Sequence, residues 1–411
     1  MKTKVPKLRF PEFSGEWVEK KLGEICNIIM GQSPSSLAYN ENLEGLPLVQ
    51  GNADCKKRKV IPRIYSSEIT KESLPKDIIM SVRAPAGTIA KSDIHSCIGR
   101  GVCAIRSKIE NQEYIYQYLI NYEDKWNKYS QGSTFDSINS NDIKGLYTSF
   151  PSFPEQEKIA SFLSKVDESI EILEEEKELW EKYKKGMMQK IFSQKLRFKD
   201  ENGNDYPEWE EKKFKDIYTF KSTNSLSRDK LNYENGEIKN IHYGDIHTKF
   251  KTLFDITKEE VPFINLDVSF NKITLENYCK KGDLIIADAS EDYADIGKCI
   301  EIINSDNQKI LAGLHTFVAR PTFLKVATGF GGYLMKSPSV YKQIRIIAQG
   351  TKVLSLSATR VADLDLYIPS LPEQEKIANF LSSIDEKIEL IEKELEVVKE
   401  FKKGLLQQMF I

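Results

Sequence analysis

Two stretches of the chain place apolar residues at alternating steps of four and three positions. The first series runs over residues 159–191 and the second over residues 377–409, with Lys184 and Lys402 among the few polar members. A spacing of 3.5 residues puts these side chains along one side of a helix, as in a coiled coil. The pattern predicts two long helices, each of about 38 residues and about 55 Å at 1.5 Å per residue.

The two stretches are copies of each other. Residues 154–192 and 372–410 align without gaps at an offset of 218, and 22 of the 39 positions are identical. A fainter repeat precedes them, because Lys-Leu-Arg-Phe at residues 7–10 returns at residues 195–198. Internal repeats of this kind indicate a duplicated architecture. The order along the chain is therefore domain, helix, domain, helix.

Short apolar runs between Gly and Pro residues predict strands in both domains, for example at residues 77–82 and 283–287. Helical spacing follows near residues 113–129 and 333–347. The predicted fold class is α+β, with two mixed α/β domains, each followed by a long helix. The two helices are expected to pack as an antiparallel coiled coil with pseudo-twofold symmetry, although each could instead pack only on its own domain. The predicted boundaries are 1–150 and 196–371 for the domains, and 151–195 and 372–411 for the helices.

The net charge of the chain disfavours nucleic-acid binding, but the distribution of charge between its segments is more favourable. A net charge of −2 is unfavourable for phosphate contacts, but the two helical segments hold 14 basic against 19 acidic residues and so carry much of the acidic excess. Residues 1–150 hold 21 basic against 17 acidic residues, which makes the first domain mildly basic. Residues 196–371 are balanced at 24 against 25, so a basic face there depends on how the charges segregate.

Several classes of protein are disfavoured. The six cysteines form no Cys-x-x-Cys pair, and His95, Cys97 and Cys103 have no fourth ligand at zinc-finger spacing, so no metal site is expected. No apolar run approaches the roughly 18 residues of a membrane span, and the N-terminus is not a secretory signal, so we expect a cytoplasmic protein. The chain also lacks the Asn/Asp-Pro-Pro-Tyr/Phe motif of amino-methyltransferases and a phosphate-binding loop, so we expect no catalysis.

The repeated motifs carry a family resemblance. They are an Asp-led strand (77–79 and 283–285), a Gln-Gly-Ser/Thr loop (131–133 and 349–351), an Ile-Pro-like strand end, and Pro-Glu-Gln-Glu-Lys-Ile at the head of each helix (154–159 and 372–377). Together they resemble the specificity subunits of type I restriction-modification systems, over essentially the whole chain.

The resemblance implies a non-catalytic, sequence-specific DNA-binding subunit. Two target recognition domains would each read one half of a split site in double-stranded DNA. The helices would act as spacer and as docking surface for two methyltransferase subunits, and restriction/translocase subunits would join the complex. S-adenosylmethionine, ATP and magnesium would belong to the partners, with no cofactor on this chain. The alternatives are a coiled-coil scaffold that binds only protein and an enzyme with an unrecognised site.

Candidate DNA contacts are residues whose side chains suit base edges or phosphates. In the first domain they are Gln50, Asn52, Lys56, Lys57, Arg58, Lys59, Arg83, Arg100, Gln131, Ser133 and Thr134. In the second domain they are His242, Tyr243, Thr248, Lys249, Lys251, His315, Gln349, Thr351, Lys352 and Arg360. The basic run at residues 56–59 could equally be a solvated loop.

Candidate partner contacts are identical residues at equivalent places, which we expect on the outer faces of the two helices. They are Glu155, Lys158, Glu168, Lys184 and Lys185 in the first helix, and Glu373, Lys376, Glu386, Lys402 and Lys403 in the second. Because the two sets match, one kind of partner is expected to bind twice.

Overall fold

The protein is described by a computed structural model, which covers residues 5–131, 137–269, 273–322 and 325–411, with the backbone alone at 127–131. Its residues form two compact units. Unit 1 comprises Met1–Glu175 and Glu392–Ile411, and unit 2 comprises Glu176–Ile391. Each unit therefore contains a segment of both long helices.

The helices include the two long ones that the apolar spacing predicts, α4 and α10. In chain order the helices are α1 (Leu22–Ile25), α2 (Gln112–Gln131), α3 (Ser140–Lys144), α4 (Phe153–Phe192), α5 (Phe214–Ile217), α6 (Tyr243–Thr248), α7 (Phe330–Met335), α8 (Pro338–Ile347), α9 (Ala358–Ala362) and α10 (Leu371–Met409). Within the described residues, no helix is long and apolar enough to span a membrane.

Unit 1 is built on two main sheets. Its strands are β1 (Val18–Lys21), β2 (Cys26–Met30), β3 (Tyr39–Asn40), β4 (Leu46–Val49), β5 (Cys55–Lys56), β6 (Lys59–Val60), β7 (Ile64–Ser66), β8 (Glu72–Ser73), β9 (Ile78–Ser81), β10 (Ile89–Lys91), β11 (Ser96–Ile98), β12 (Val102–Ser107) and β13 (Tyr147–Phe150). One sheet has the order β2-β12-β9-β10-β6-β5 and the other β3-β7-β4-β11-β8. In the second sheet, β4 and β11 run parallel.

Unit 2 repeats this plan with different loops. Its strands are β14 (Glu210–Lys213), β15 (Tyr218–Lys221), β16 (Leu231–Asn232), β17 (Lys239–Ile241), β18 (Leu253–Asp255), β19 (Phe263–Ile264), β20 (Leu284–Ala287), β21 (Ala289–Ser290), β22 (Cys299–Asn304), β23 (Ile310–Ala312), β24 (Thr316–Pro321), β25 (Leu354–Ser355) and β26 (Asp365–Ile368). The sheet orders are β15-β24-β20-β22-β18 and β16-β19-β17-β23, and β17 runs parallel to β23 as β4 does to β11.

The aspartate of the Asp-led strand motif forms an ion pair with an arginine of the neighbouring strand. Asp77 is 1% exposed and accepts two hydrogen bonds of 2.7 Å from Arg106 of β12. In unit 2, Asp283 is fully buried and accepts hydrogen bonds of 2.9 and 2.8 Å from Arg320 of β24. The recurring aspartate therefore joins β9 to β12, and β20 to β24, through a two-pronged contact with an arginine.

The Pro-Glu-Gln-Glu motif attaches the head of each long helix to its own domain. Glu155 is 1% exposed and accepts two hydrogen bonds of 2.8 Å from Arg9, which lies in the repeated Lys-Leu-Arg-Phe segment. The fully buried Glu373 accepts hydrogen bonds of 3.2 and 2.8 Å from Arg197 and one of 3.1 Å from the indole of Trp209. In each unit, the faint repeat at residues 7–10 or 195–198 thus contacts the strong repeat at the head of the long helix.

The next residue of the motif completes this attachment. Gln156 accepts a hydrogen bond from the backbone of Asn111 at 3.0 Å and donates to the carbonyl of Pro151 at 3.0 Å. Gln374 likewise accepts from the backbone of Ala327 at 2.9 Å and donates to the carbonyl of Pro369 at 2.9 Å. Both amides are buried, and they satisfy backbone groups that would otherwise be unpaired.

Within each unit, the segments of α4 and α10 pack side by side in opposite directions. In unit 1, Lys402 pairs with Asp167, and Lys399 pairs with Glu174 at 2.6 Å. Since the α10 residue number falls as the α4 residue number rises, the two segments are antiparallel.

Unit 2 contains the same pairing one repeat later. Lys184 pairs with Asp385, and Lys387 pairs with Glu176 at 3.1 Å. Lys184 and Lys402, which interrupt the apolar series at equivalent positions, therefore face carboxylates of the opposite helix segment.

The outer-face prediction is wrong for three of the candidate docking residues. Glu155 and Glu373 are buried against arginines, and Lys402 is 7% exposed beside Asp167. Burial lowers the pKa of Lys402, while the Asp167 carboxylate opposes that shift. Lys184 is half-buried in the equivalent pair. The remaining candidates are exposed or half-buried, and they are Lys158, Glu168, Lys185, Lys376, Glu386 and Lys403.

We expect Glu373→Ala to destabilise the protein by about 3–5 kcal/mol, because it leaves the Arg197 cation and the Trp209 indole without their shared acceptor. The measurement is urea-induced unfolding followed by circular dichroism. Glu375→Ala is the matched control, because Glu375 is exposed in the same helical turn, and its effect should stay within about 0.5 kcal/mol. Equal stability of the two variants would contradict this role for the buried glutamate.

Candidate nucleic-acid interface

In unit 1, several of the predicted DNA contacts meet where the parallel strands β4 and β11 end. The backbone of Gly99 donates to the carbonyl of Val49 at 2.8 Å, so the residues after the two strands lie side by side. Gln50 follows β4, and Arg100 follows β11 by two residues. A Cβ at Gly101 would lie 2.1 Å from the carbonyl oxygen of Gln50, so this close approach requires glycine.

Arg83 belongs to the same end of the unit. The backbone of Val82 donates to the carbonyl of Gly101 at 2.9 Å, which places the residue after it beside the same loop. Arg83 and Arg100 are exposed, whereas Gln50 and Asn52 are half-buried. This end of unit 1 therefore offers two guanidinium groups and two amides.

Unit 2 has the same backbone arrangement where β17 and β23 end. The backbone of Gly313 donates to the carbonyl of Ile241 at 2.9 Å, as Gly99 does to Val49. His242 follows β17 and therefore occupies the position of Gln50 in unit 1. The scaffold is repeated, but the side chain that it presents has changed.

Three of the predicted residues of unit 2 form an aromatic cluster at this place. The ring of Tyr243 lies 4.6 Å from that of His242 and 5.3 Å from that of His315. His242 is 7% exposed, and its Nδ1 accepts the backbone hydrogen of Gly244 at 3.1 Å as the N-cap of α6. Burial lowers the pKa of His242, and the nearby Arg228 lowers it further. His242 is therefore a neutral, structural member of the cluster near pH 7.

His315 is the exposed member and is paired with a carboxylate. Its Nδ1 lies 3.2 Å from Oδ1 of Asp288, and its side chain is 49% exposed. Its φ of 55° lies in the left-handed region, which is uncommon for a residue with a side chain. Burial raises the pKa of Asp288, and the His315 ring opposes that shift.

The C-terminal candidates lie beside this cluster. Strand β25 pairs with β21, and the backbone of Leu356 donates to the carbonyl of Asp288 at 2.8 Å. Arg360 is exposed and donates to the carbonyl of Ile347 at 3.1 Å, and the side-chain amide of Gln349 lies beside its guanidinium. Thr351 and Lys352 are exposed in the intervening loop.

The basic run at residues 56–59 is largely used within unit 1. Arg58 donates to both oxygens of Glu123 on α2, at 2.6 and 2.8 Å, and Lys59 donates to Glu171 on α4 at 2.8 Å. Lys57 lies 3.9 Å from Glu174. These carboxylates compensate most of the positive charge of the run, although Lys56, Lys57 and Lys59 are all exposed. The run connects a hairpin to two helices.

Three candidates of unit 2 also have hydrogen-bond or ion-pair partners within that unit. The hydroxyl of Thr248 donates to the carbonyl of Gly244 at 2.8 Å within α6. Lys249 donates to the hydroxyl of Tyr233 at 2.9 Å, and Lys251 lies 2.8 Å from a carboxylate oxygen of α10.

In unit 1, Ser133 and Thr134 lie outside the described residues. Gln131 is the last residue of α2, and its side chain also lies outside them.

One feature of the long helices was missed in the sequence. Unit 1 exposes Ile172, Val397 and Phe401, and unit 2 exposes Leu390, Leu179 and Tyr183 at the equivalent positions, 218 residues away in each case. We call these two sets the apolar triads. Their exposed fractions range from 46% to 68%. The signal that could have revealed them is that both copies carry apolar or aromatic residues at these equivalent positions, which lie outside the 3.5-residue series.

Comparison with known proteins identifies the family. The family model described as type I restriction modification DNA specificity domain matches residues 14–181 and again residues 206–400. The putative type I restriction enzyme MjaX specificity subunit of Methanocaldococcus jannaschii is 35% identical over 192 residues, which are 46% of this chain and 45% of that protein. The alignment thus spans less than half of that relative. The MjaIX specificity subunit of the same organism is 22% identical over 96% of this chain and 92% of its own.

Solved structures share the fold. The S subunit of a type I restriction-modification system from M. genitalium has a TM-score of 0.62 at 16% identity, with 99% of each chain covered. A chain from a study of complex assembly and conformational transition in the type I R-M system has a TM-score of 0.53 at 15% identity, covering 96% of this chain and 97% of its own. The predicted mixed α/β fold with two domains is confirmed. Because two matches of the family model cover most of the sequence, the chain belongs to the family of type I restriction-modification DNA specificity domains.

Proposed function

We propose that this chain supplies DNA sequence specificity to a type I restriction-modification complex, with each unit reading one half of a split duplex site. The observation that carries the proposal is the repeated strand-end scaffold. The same backbone contacts place Gln50 in unit 1 and His242 in unit 2, but most of the surrounding side chains differ. A repeated backbone frame that carries different side chains is suited to recognising a different base sequence in each unit.

The chemistry of the exposed residues supports this reading. Arg83 and Arg100 in unit 1, and Arg360 in unit 2, are exposed guanidinium groups that can donate two hydrogen bonds to a guanine edge or to a phosphate. Gln50 and Asn52 carry amides of the kind that pair with adenine. The small net charge is compatible with this role, because much of the acidic excess lies on the long helices.

The chemical steps would belong to partner subunits. Methylation with S-adenosylmethionine, and ATP- and magnesium-dependent translocation and cleavage, need motifs that the sequence lacks. In this proposal the chain binds none of these cofactors itself.

The apolar triads support two docking sites for one kind of partner, which we assign to the methyltransferase subunit. Each unit has its own triad, made of one residue from one long helix and two from the other. Exposed apolar patches of this kind mark protein interfaces. Of the exposed charged candidates, Glu168 and Glu386 lie four residues, about one helical turn, before Ile172 and Leu390. Lys158, Lys185 and Lys403 would add contacts elsewhere on the long helices. Restriction/translocase subunits would join the assembled complex.

The second candidate function is a protein-binding scaffold without DNA readout, which the apolar triads and the charge of −2 would also suit. A scaffold would not bind a duplex in a sequence-dependent and salt-dependent way. Mapping the methylated adenines of a host that carries this chain and its partners defines the duplex to be used.

We expect Arg100→Ala to weaken binding to that duplex by about five- to 150-fold, equivalent to about 1–3 kcal/mol for a lost two-pronged base contact. Lys59→Ala is the charge-matched control and should change the dissociation constant less than about twofold, because Lys59 pairs with Glu171. Fluorescence anisotropy at one fixed salt concentration gives both values. Equal losses in the two variants would show that only net charge matters.

We expect the double variant Leu179→Asp/Leu390→Asp to bind one copy of the methyltransferase subunit where the parent chain binds two, because charge is introduced into the triad of unit 2 alone. Native mass spectrometry at saturating partner counts the copies. Lys182→Asp introduces the same charge at an exposed neighbouring position and should still bind two. Two copies on the double variant would exclude the triad as the docking surface.

The helices would also set the spacing of the two half-sites. Inserting one heptad after Glu175 and another after Lys393, its equivalent in α10, preserves the 3.5-residue series and adds about 10 Å of helix. The methylated site should keep both half-sequences and gain about three base pairs of spacer. Altered half-sequences, or an unchanged spacer in a folded and methylating variant, would rule this mechanism out.

A further inference from the structure

The two units differ at the centre of one short loop. In unit 1, residues 99–101 connect β11 to β12, and in unit 2, residues 313–315 connect β23 to β24. Both loops therefore have three residues. Their sequences are Gly-Arg-Gly and Gly-Leu-His, so Leu314 stands where unit 1 has Arg100.

Backbone contacts on both sides of the central residue establish this correspondence. Before it, Gly99 and Gly313 each donate to the last residue of the neighbouring parallel strand, at 2.8 and 2.9 Å. After it, the carbonyl of Gly101 accepts at 2.9 Å from the residue that follows β9. The carbonyl of His315 accepts at 3.1 Å from the residue that follows β20. The two loops are thus held at the same two points.

The central residues offer opposite chemistry from the same place. Arg100 is exposed and can donate two hydrogen bonds to the edge of a guanine. Leu314 is half-buried, and its side chain has no group that donates or accepts a hydrogen bond. Among the groups that base pairs present in the major groove, the 5-methyl of thymine is the apolar one. A leucine at this place therefore suits a thymine.

Aromatic rings lie beside the loop of unit 2. His315, which follows Leu314, packs its ring edge-on against Tyr243 with 5.3 Å between the ring centres. The Tyr243 ring lies 4.6 Å from that of His242, which is 7% exposed and stands where unit 1 has Gln50. Apolar contacts gain free energy when surface is removed from water, and such rings supply that surface.

We propose that Leu314 is a specificity-determining residue of unit 2, which contacts the 5-methyl group of a thymine in the major groove. It acts at the place from which Arg100 donates to the half-site of unit 1. This inference rests on the proposed function and adds to it the base pair, thymine with adenine, that unit 2 selects at this position.

The test removes the methyl group from the DNA and leaves the protein unchanged. Each thymine of the duplex with the mapped methylated site is replaced in turn by uracil, which lacks only the 5-methyl group. We expect one of these replacements to weaken binding by the parent chain about fourfold, the factor expected for burial of one methyl group. Fluorescence anisotropy at one fixed salt concentration gives the dissociation constants.

Leu314→Ala connects the residue to that thymine. The variant should bind the thymine and uracil duplexes equally, because the shortened side chain no longer reaches the methyl group. Leu275→Ala is the matched control and should keep the fourfold difference, because Leu275 is 82% exposed in the same unit and lies outside the residues that we assign to DNA.

Leu314→Arg keeps the test decisive if Leu314→Ala fails to fold by circular dichroism. The equivalent loop of unit 1 has the same length and already carries arginine at its centre. This variant should also lose the dependence on the methyl group. It should prefer guanine to thymine at the same position by about five- to 150-fold, the range for a two-pronged base contact.

The outcomes distinguish this inference from the function on which it rests. If no thymine methyl affects binding, or if the effect persists in a folded Leu314 variant, the role of Leu314 is overturned and the proposed function stays intact. A retained preference for thymine over guanine in Leu314→Arg has the same consequence. Absence of sequence-dependent binding by the parent chain overturns both.

Discussion

The buried glutamate at the head of each long helix is the contact on which the architecture depends. Glu155 accepts two hydrogen bonds from the guanidinium of Arg9, and Glu373 accepts hydrogen bonds from Arg197 and from the indole of Trp209. Such a charge is tolerated inside a protein only when hydrogen bonds compensate the lost water. Since the arginine precedes the domain and the glutamate follows it, each contact joins both ends of a domain to the start of its helix.

This constraint allows the rest of the surface to diverge. Buried ion pairs such as Asp77 with Arg106, and Asp283 with Arg320, keep the sheets of the two units in the same register. The loops at the ends of the parallel strands are not held by such ion pairs. Their constraint is a close approach of two backbone segments, as at Gly101. The duplication therefore preserves the frame and leaves the exposed positions free to carry different side chains.

Much of the fold could be predicted because its signals are local or repeated. Apolar spacing located α4 and α10, and the offset of 218 showed that the halves correspond. Burial was less accessible. Glu155 and Lys402 are charged residues of the kind expected on a solvated helix face. Only the three-dimensional positions of Arg9 and Asp167 show that both are buried and paired. The same holds for the basic run, whose carboxylate partners lie far away in the sequence.

The sequence by itself determined the family, the duplication and the two long helices, because hydrophobic period and recurring motifs are properties of residues near each other in the chain. Only the tertiary structure decided which polar residues are structural and which are exposed at the strand ends. That distinction depends on partners brought together by folding, as Asp288 is with His315 across 27 residues. A side chain's type states what it can bind, but its neighbours in space decide whether that capacity is already used.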